Sequence, residues 1–281
     1  METSWIIQST GFASSNILET IDILNELNID WKDYGIVKNT ITNLENILEE
    51  DRKLIARGGI KLIKLIENSN NIYELNKNIS KEQKNYKFLK ILKESIDYDE
   101  KKFDQKNYMD KNLPLLNKNA EIIKYEDLKY RIFEKDKFIK PSRDLKSFDG
   151  GIIYENETIL NFLMRNKHTE EVKNEDIIIS DLKDIKNEYR FFIYKENILG
   201  SSQYMENGKL HLNQYVPEKI KQAAKEYSKL YNPKEIFVMD LCELEKGEIK
   251  IVEYNCWNAS AFYHTEAKKI ISKINEIKGS F

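Results

Sequence analysis

From Tyr125 onward the sequence contains many short runs of β-forming residues, and this spacing constrains the fold more than any other feature. Seven such runs, separated by turn-forming residues, follow one another up to residue 255: KFIKP, GGIIY, DIIIS, YRFFIY, ILGSSQY, IFVMDLCEL and IKIVEYN. Strands at this spacing are typical of an antiparallel sheet. Helices are predicted at only two places, about Pro217 to Leu230 and Thr265 to Ile277. The sequence therefore predicts the α+β class.

The amino-terminal part has a different pattern. Residues Trp5 to Ser9 (WIIQS) predict a short buried strand, and Ser15 to Leu27 place apolar side chains at helical spacing. This is the start of an α/β lobe, and a lobe of roughly 100 residues has the size of a domain. The charged run from Asp97 to Lys106 is interpreted as a solvated surface without a function of its own.

Composition excludes several classes of function. The formal net charge is −2, so no global basic field attracts nucleic acid or an anionic membrane. Cys242 and Cys256 form no CxxC pair, which indicates a reducing compartment, two small core residues and no structural zinc. We find no signal peptide, and no segment reaches the ~20 apolar residues that cross a bilayer. We expect a cytoplasmic protein without a membrane or nucleic-acid partner.

Three oxygen-bearing side chains lie in the last two long apolar runs. Glu253 and Asn255 are two positions apart, so in an extended strand both point to the same face. Asp240 lies inside FVMDLCEL, where a buried carboxylate must be paired, protonated or bound to metal. Such oxygen donors on neighbouring strands suit Mg²⁺. The alternative is that Asp240 and Glu253 are ordinary strand carboxylates that pair with lysines.

A lysine-bearing loop precedes these strands in the chain. Lys140 ends the run KFIKP, Pro141 interrupts the ladder, and a polar loop containing Lys146 ends at Gly150 and Gly151. The backbone N–H groups of such a loop, together with the two lysines, are suited to bind a polyphosphate, although the pattern is not a Walker motif. The alternative is a solvent-exposed turn in a lysine-rich chain.

The third motif is NEYRFFIY. Strand alternation directs Arg190 towards a cleft while Phe191 and Ile193 face the core. A guanidinium in a cleft would bind a terminal phosphate or an acyl phosphate through two N–H groups. The alternative is a surface pair between Glu188 and Arg190, worth at most ~1 kcal/mol.

Taken in order, FIKP with its K-x-F-x-G loop, then E-Y-R, then an apolar strand with Asp, then E-x-N, these motifs resemble the ATP-grasp superfamily. The likeness is greatest to its divergent branch of predicted protein-modifying ligases, and it covers about Phe138 to Ile271. It implies an ATP-grasp fold with an N-terminal α/β pre-grasp domain over residues 1–110. The ATP-grasp domain then spans residues 111–281, with a small lobe at about 111–182 and a large lobe at about 183–281.

The resemblance also implies ligands and a reaction. The implied ligands are Lys140, Lys146 and Arg190 for the phosphates, Ile179, Ser180 and Leu182 for the adenine edge, and Asp240, Glu253 and Asn255 for magnesium. Arg190 and Lys146 would act in catalysis, and Asp240 would contact the nucleotide as well as the metal. The implied activity is an ADP-forming, ATP- and Mg²⁺-dependent carboxylate–amine ligase that works through an acyl phosphate. Its carboxylate and amine substrates are a small molecule, a peptide or a protein.

Two alternatives to ligation stay open. A eukaryotic member of this branch is a translation-factor assembly protein, which implies an ATP-binding assembly factor that ligates nothing. Phosphotransfer to a small molecule is the other alternative, and it would release ADP without free phosphate. The stretch after the metal motif resembles the acceptor side of the cleft, where His264 is either a base or a structural residue.

Overall fold

Three β-sheets organise the chain in a computed structural model that describes residues 3–10, 15–37, 40–43, 53–70, 75, 86–143, 147–167, 172 and 175–280. The amino-terminal sheet has the order β3-β2-β1-β4, in which β1 is parallel to β2 and β4. Its strands are β1 (Thr3–Thr10), β2 (Trp31–Val37), β3 (Thr40–Thr42) and β4 (Lys53–Arg57). Its helices are α1 (Ser15–Glu26), α2 (Ile60–Asn68) and α3 (Tyr86–Glu94). The predicted strand and helix at the amino terminus are confirmed as β1 and α1.

A smaller four-stranded sheet follows, with the order β5-β8-β6-β7 and antiparallel pairing throughout. Its strands are β5 (Glu121–Lys124), β6 (Lys137–Pro141), β7 (Gly151–Ile153) and β8 (Asp176–Ser180). The short helices around it are α4 (Glu100–Phe103), α5 (Tyr125–Leu128) and α6 (Ile159–Arg165). Its apolar face forms a core of its own, with Ile139 and Ile177 fully buried.

The third sheet is five-stranded and antiparallel, with the order β11-β10-β9-β12-β13. Its strands are β9 (Ile185–Tyr194), β10 (Asn197–Glu206), β11 (Lys209–Asn213), β12 (Ile236–Leu244) and β13 (Ile249–Asn255). The two predicted helices are confirmed as α7 (Glu218–Leu230) and α8 (Ala267–Gly279). The α+β class is therefore correct.

The two faces of the five-stranded sheet bury different helices. One face packs on α7, and the other packs on α8, which also contacts β1 and β4 of the amino-terminal sheet. Ile270, Ile271 and Ile274 of α8 are fully buried in this layer. Asn275 continues the contact, because its Oδ1 accepts hydrogen bonds from Trp5 Nε1 at 3.0 Å and from Thr3 Oγ1 at 2.5 Å. Helix α8 thus joins the two sheets.

The outer strand β13 has two irregular features. Its free edge is covered by the segment before β5, since Leu116 N donates to Ile251 O at 2.8 Å and Ile251 N donates to Pro114 O at 2.9 Å. A bulge interrupts its pairing with β12, because Asp240 lies opposite Glu253 whereas Leu241 lies opposite Ile251.

Several elements differ from the sequence prediction. Helices α5 and α6 were not predicted because four and seven residues are too few to show a helical period, although Thr158 marks the start of α6 by accepting a hydrogen bond from Asn161 N. Strand β11 was also missed, although Asn207 and Gly208, with φ of 47° and 72°, form a tight hairpin turn before it. No helix among the described residues is long and apolar enough to span a membrane.

The interpretation of the charged run at 97–106 as a solvated surface is wrong for part of the run. Asp97 and Asp104 are both at most 5% exposed. Asp97 accepts a hydrogen bond from Trp257 Nε1 at 2.8 Å and pairs with Lys278 at 2.8 Å. The two cysteines are buried and free, as predicted.

The central position of α8 gives a first prediction. Replacing Ile274 by Ala leaves a cavity between the two sheets and is expected to lower the free energy of unfolding by ~2–5 kcal/mol. Lys273→Ala, on the exposed side of the same helix, is the control, because its ion pair with Glu276 contributes at most ~1 kcal/mol. Thermal unfolding of both variants measures the difference. Equal midpoints would contradict the role given to α8.

Candidate active site

The pairing of three strands places charged residues in one row across the five-stranded sheet. Arg190 on β9 lies opposite Asp240 on β12, and Asp240 lies opposite Glu253 on β13. Directly opposed residues of an antiparallel sheet point to the same face. The next residues along β9, Phe191 and Ile193, face the α7 side and are fully buried, as the sequence predicted.

Arg190 and Asp240 form a buried ion pair. Arg190 Nε donates to Asp240 Oδ1 at 2.9 Å and Arg190 Nη2 donates to Asp240 Oδ2 at 2.7 Å, while Nη1 donates to Ala261 O at 3.2 Å. Arg190 is 8% and Asp240 1% exposed. Burial opposes charge on the guanidinium, but the carboxylate raises the pKa of Arg190 overall. Burial raises the pKa of Asp240, and the guanidinium counters part of that rise.

Two tyrosines lie against this pair. The rings of Tyr204 and Tyr263 stack with centroids 4.9 Å apart, and the guanidinium carbon of Arg190 lies 4.6 Å from the Tyr263 centroid. Stacking of arginine on an aromatic face is attractive and fixes the plane of the guanidinium. The Tyr204 hydroxyl donates to Glu188 Oε2 at 2.7 Å, and burial raises the pKa of Glu188. The surface pair of Glu188 with Arg190, considered from the sequence, is therefore replaced by two separate pairs.

Lys140 reaches the row from the smaller sheet. Its Nζ donates to Glu253 Oε2 at 2.7 Å, so β6 and β13 meet at this contact. Asn255 Nδ2 donates to Glu253 Oε1 at 3.1 Å and to Asp240 Oδ2 at 3.0 Å. Burial would raise the pKa of Glu253, but the attraction of Lys140 and the hydrogen bonds from Lys140 and Asn255 lower it to about 2. Four of the residues singled out in the sequence thus converge.

A cavity of about 930 Å³ lies between the smaller sheet and the five-stranded sheet. Cavities up to about this size hold small-molecule ligands in other proteins. The predicted residues that line it are Lys140, Ser180, Leu182, Glu253 and Asn255. Glu188 and Tyr204, which the predicted set did not contain, also line it.

The other predicted residues lie elsewhere. Arg190 and Asp240 are behind the cavity wall, with the guanidinium turned to the carboxylate rather than into the open space. Ile179 is in the core of the smaller sheet, and its backbone lies between β5 and β6, so its position does not support a contact with adenine. Lys146 lies outside the described residues. His264 is exposed and has a φ of 69°.

The donor set fits a hard divalent cation. Two carboxylate oxygens, one from Asp240 and one from Glu253, lie within 3.1 Å of the same Asn255 amide nitrogen, so the three side chains point to one place. No group of three or more His, Cys, Asp or Glu side chains among the described residues forms a closed metal cage. A site with two carboxylates and one amide is typical of Mg²⁺, which keeps several waters and takes oxygens from phosphate.

Residues missed from the sequence are those whose partners are distant in the chain. Tyr204 alternates with Ser202 in ILGSSQY, and both point to the side of the sheet that carries Arg190, because Ser202 lies opposite Arg190. That alternation was available in the sequence. What singles out Tyr204 is its contact with Tyr263, 59 residues later, and no local pattern predicts it.

Comparison with protein families gives a match to this part of the chain. Residues 116–272, more than half of the sequence, match a family that is described as an ATP-grasp domain and numbered as the second family of its clade. The chain belongs to the ATP-grasp superfamily. The resemblance stated from the sequence is thus confirmed, and the matched range contains every residue predicted for the site. No curated protein matches the sequence.

Solved structures of ATP-grasp ligases share the fold over nearly the whole chain. The D-alanine–D-alanine ligase from Bacillus anthracis superimposes with a TM-score of 0.55 at 11% identity, over 99% of this chain and 94% of that chain. The D-cycloserine synthetase DcsG gives 0.53 at 10% identity, over 99% and 100%. The ATP-grasp ligase PsnB complexed with minimal precursor gives 0.53 at 8% identity, over 99% and 98%. The predicted enzyme class is therefore confirmed at the level of family and fold.

The depressed pKa of Glu253 gives a second prediction. Its pKa of about 2 lies below the ordinary value of 4.5, so its ion pair stabilises the fold fully above pH 4.5 and is lost as the pH falls towards 2. The difference in thermal midpoint between the wild type and Glu253→Gln is therefore expected to shrink over that interval. In a Lys140→Met background the same difference should depend much less on pH. An identical pH dependence in both backgrounds would contradict the pairing.

Proposed function

We propose that this chain is an ATP- and Mg²⁺-dependent carboxylate–amine ligase that forms an acyl phosphate. The observation that carries the proposal is the meeting of Lys140, from one sheet, with Glu253 and Asn255, from another, at the wall of one cavity. A cation donor and oxygen ligands for a metal are then a few ångströms apart. A nucleoside triphosphate bound with its metal needs both at that separation.

The lysine and the carboxylate have complementary roles in this proposal. The ammonium of Lys140 passes from Glu253 to the phosphate oxygens when the nucleotide binds, and Lys146 adds a second positive charge from the neighbouring loop. Asp240, Glu253 and Asn255 hold Mg²⁺, which supplies neutralisation of the phosphate charge when bound. Glu253 arrives ionised at neutral pH because its pKa is about 2, so no proton has to leave first.

Arg190 stabilises the transferred phosphoryl group in this proposal. Its guanidinium is held by Asp240 and stacked on Tyr263, so it is oriented before any ligand binds. Preorganised charge of this kind accelerates a reaction because the protein does not have to reorganise in the transition state. A substrate carboxylate then attacks the γ-phosphate, ADP leaves, and an amine displaces phosphate from the acyl phosphate.

The remaining parts of the proposal concern the nucleotide base and the domains. Ser180 and Leu182, at the end of β8 and just beyond it, line the cavity and bind the adenine edge through their backbone. Residues 1–110 form the pre-grasp domain and residues 111–281 the ATP-grasp domain, with the hinge near residue 182. The ligase works in the cytoplasm. Its acceptor is a small molecule, a peptide or a protein, and the amide product forms next to the 256–264 segment.

Binding of ATP tests the first part of the proposal. Lys140→Ala is expected to weaken Mg-ATP binding at least roughly tenfold, equivalent to ~1.4 kcal/mol, because it removes a charge-assisted hydrogen bond to phosphate. The matched control is Lys219→Ala, which removes a lysine that pairs with Glu243 on the same sheet but outside the cavity. Isothermal titration with a non-hydrolysable ATP analogue measures both. Equal affinities for the two variants would refute the assignment of the cavity.

Ligation is tested separately. The protein is incubated with Mg-ATP and cell extract, released ADP and phosphate are quantified, and small proteins and metabolites are analysed by intact mass. A mass gain that appears in step with ADP and phosphate, and is absent from the Asp240→Ala, Glu253→Ala double variant, is the expected result. ATP binding with unchanged masses would instead favour an ATP-binding assembly factor, and ADP without free phosphate would favour phosphotransfer.

A further inference from the structure

The segment 256–264, which follows Asn255 directly, is held by the amino-terminal sheet and not by the sheet it leaves. Arg57, the last residue of β4, donates from Nη1 to Trp257 O at 2.8 Å and from Nη2 to Ser260 O at 2.9 Å. Its Nε donates to Thr20 Oγ1 at 2.9 Å. All three guanidinium nitrogens of Arg57 are thus engaged, and two of them hold carbonyls of this one segment.

Asn258 fixes the same segment from within. Its Nδ2 donates to Ala56 O at 2.6 Å, its Oδ1 accepts from Asp97 N at 2.9 Å, and its carbonyl accepts from Gly58 N at 3.0 Å. Asn258 is fully buried, and Arg57 is 1% exposed. These contacts surround one short turn, so its backbone has little freedom relative to β4.

The other end of the segment contacts the active site. Ala261 O accepts a hydrogen bond from Arg190 Nη1 at 3.2 Å, and the Tyr263 ring lies 4.6 Å from the Arg190 guanidinium carbon. Phe262, between them, has the Arg57 guanidinium 4.2 Å from its ring centroid and the Phe192 ring at 5.3 Å. Two arginines, one from each sheet, therefore grip neighbouring residues of one segment.

The backbone of the segment is strained where it meets Arg190. Tyr263 and His264 have φ of 48° and 69°, a region that residues with a side chain rarely occupy. Two such residues in succession persist only where surrounding contacts determine the conformation. The hydrogen bonds of Arg57 and Asn258 supply those contacts.

A buried arginine with carbonyl and hydroxyl partners is an expensive way to hold a turn. Burial lowers the pKa of Arg57 to about 10, which still leaves it charged at neutral pH. A charge in such a place costs several kcal/mol that an apolar residue would not, so stability alone does not explain it. Its geometry does, since one rigid fork spans the two carbonyls that flank Asn258.

We propose that Arg57 is a positioning residue, which holds Ala261 and Tyr263 in place so that Arg190 keeps its orientation towards the active site. The amino-terminal domain thereby takes part in the chemistry of the other sheet without contacting the cavity. The inference rests on the proposed function only in treating Arg190 as an active-site residue. The coupling from Arg57 to Arg190 stands or falls independently.

The test observes Arg190 itself. In ¹⁵N-labelled protein the Nε–H of Arg190, buried against Asp240, is expected to exchange with solvent slowly and to shift in the ring current of Tyr263. Arg57→Lys keeps the charge but cannot span two carbonyls, and Thr20→Val removes the Nε acceptor alone. In both variants this proton is expected to exchange roughly tenfold faster, since opening of the segment becomes easier, while the backbone amide of Phe191 in the same strand keeps its rate.

Two controls complete the design. Thr20→Ser retains the hydroxyl and should restore slow exchange. Arg165→Lys alters another arginine that donates to a backbone carbonyl and lies over aromatic rings, in α6, and should leave Arg190 unchanged. Unchanged exchange and shift of the Arg190 proton in both folded variants would overturn the proposal, as would equal acceleration of the Phe191 amide. If ligation is detected, kcat is expected to fall with KM for ATP unchanged, and failure to detect ligation would not alter the exchange result.

Discussion

The paired charges of Arg190 and Asp240 set the arrangement of the whole site, because neither charge is tolerable inside the sheet alone. An unpaired buried charge costs several kcal/mol, and a slip of one residue between β9 and β12 would turn both side chains to the apolar face that packs on α7. The register is therefore fixed at this point. Once it is fixed, Glu253 is the next neighbour across the sheet, and Lys140 has a carboxylate to meet.

Much of this arrangement is readable from the sequence. The short β-forming runs predicted the antiparallel sheets, and two-residue spacing placed Glu253 and Asn255 together, as they are at one cavity. The order of weak motifs indicated the family, although each motif alone is common. Arg190 and Asp240 were singled out because a charged residue inside an apolar run must have a partner, and each proves to be the partner of the other.

The parts that were not predicted depend on contacts between residues far apart in the chain. Arg57 ends an apolar strand and is followed by two glycines, and nothing in that pattern indicates that its partners are backbone carbonyls 200 residues later. Asp97 lies in a charged run whose composition resembles exposed surface, yet its partner is a buried indole. Helices α5 and α6 were missed for a local reason, since their length is below one hydrophobic period.

The bulge in β13 explains how one strand serves two environments. By strict alternation Ile251, Glu253 and Asn255 would share a face, which would bring an apolar side chain into line with the carboxylate and the amide. The extra residue at Val252 reverses the alternation, so that Ile251 is sealed in the core opposite Leu241 while Glu253 remains opposite Asp240. A single inserted position therefore converts a structural strand into a ligand-bearing one, and it does so without a loop whose mobility would blur the spacing of the donors.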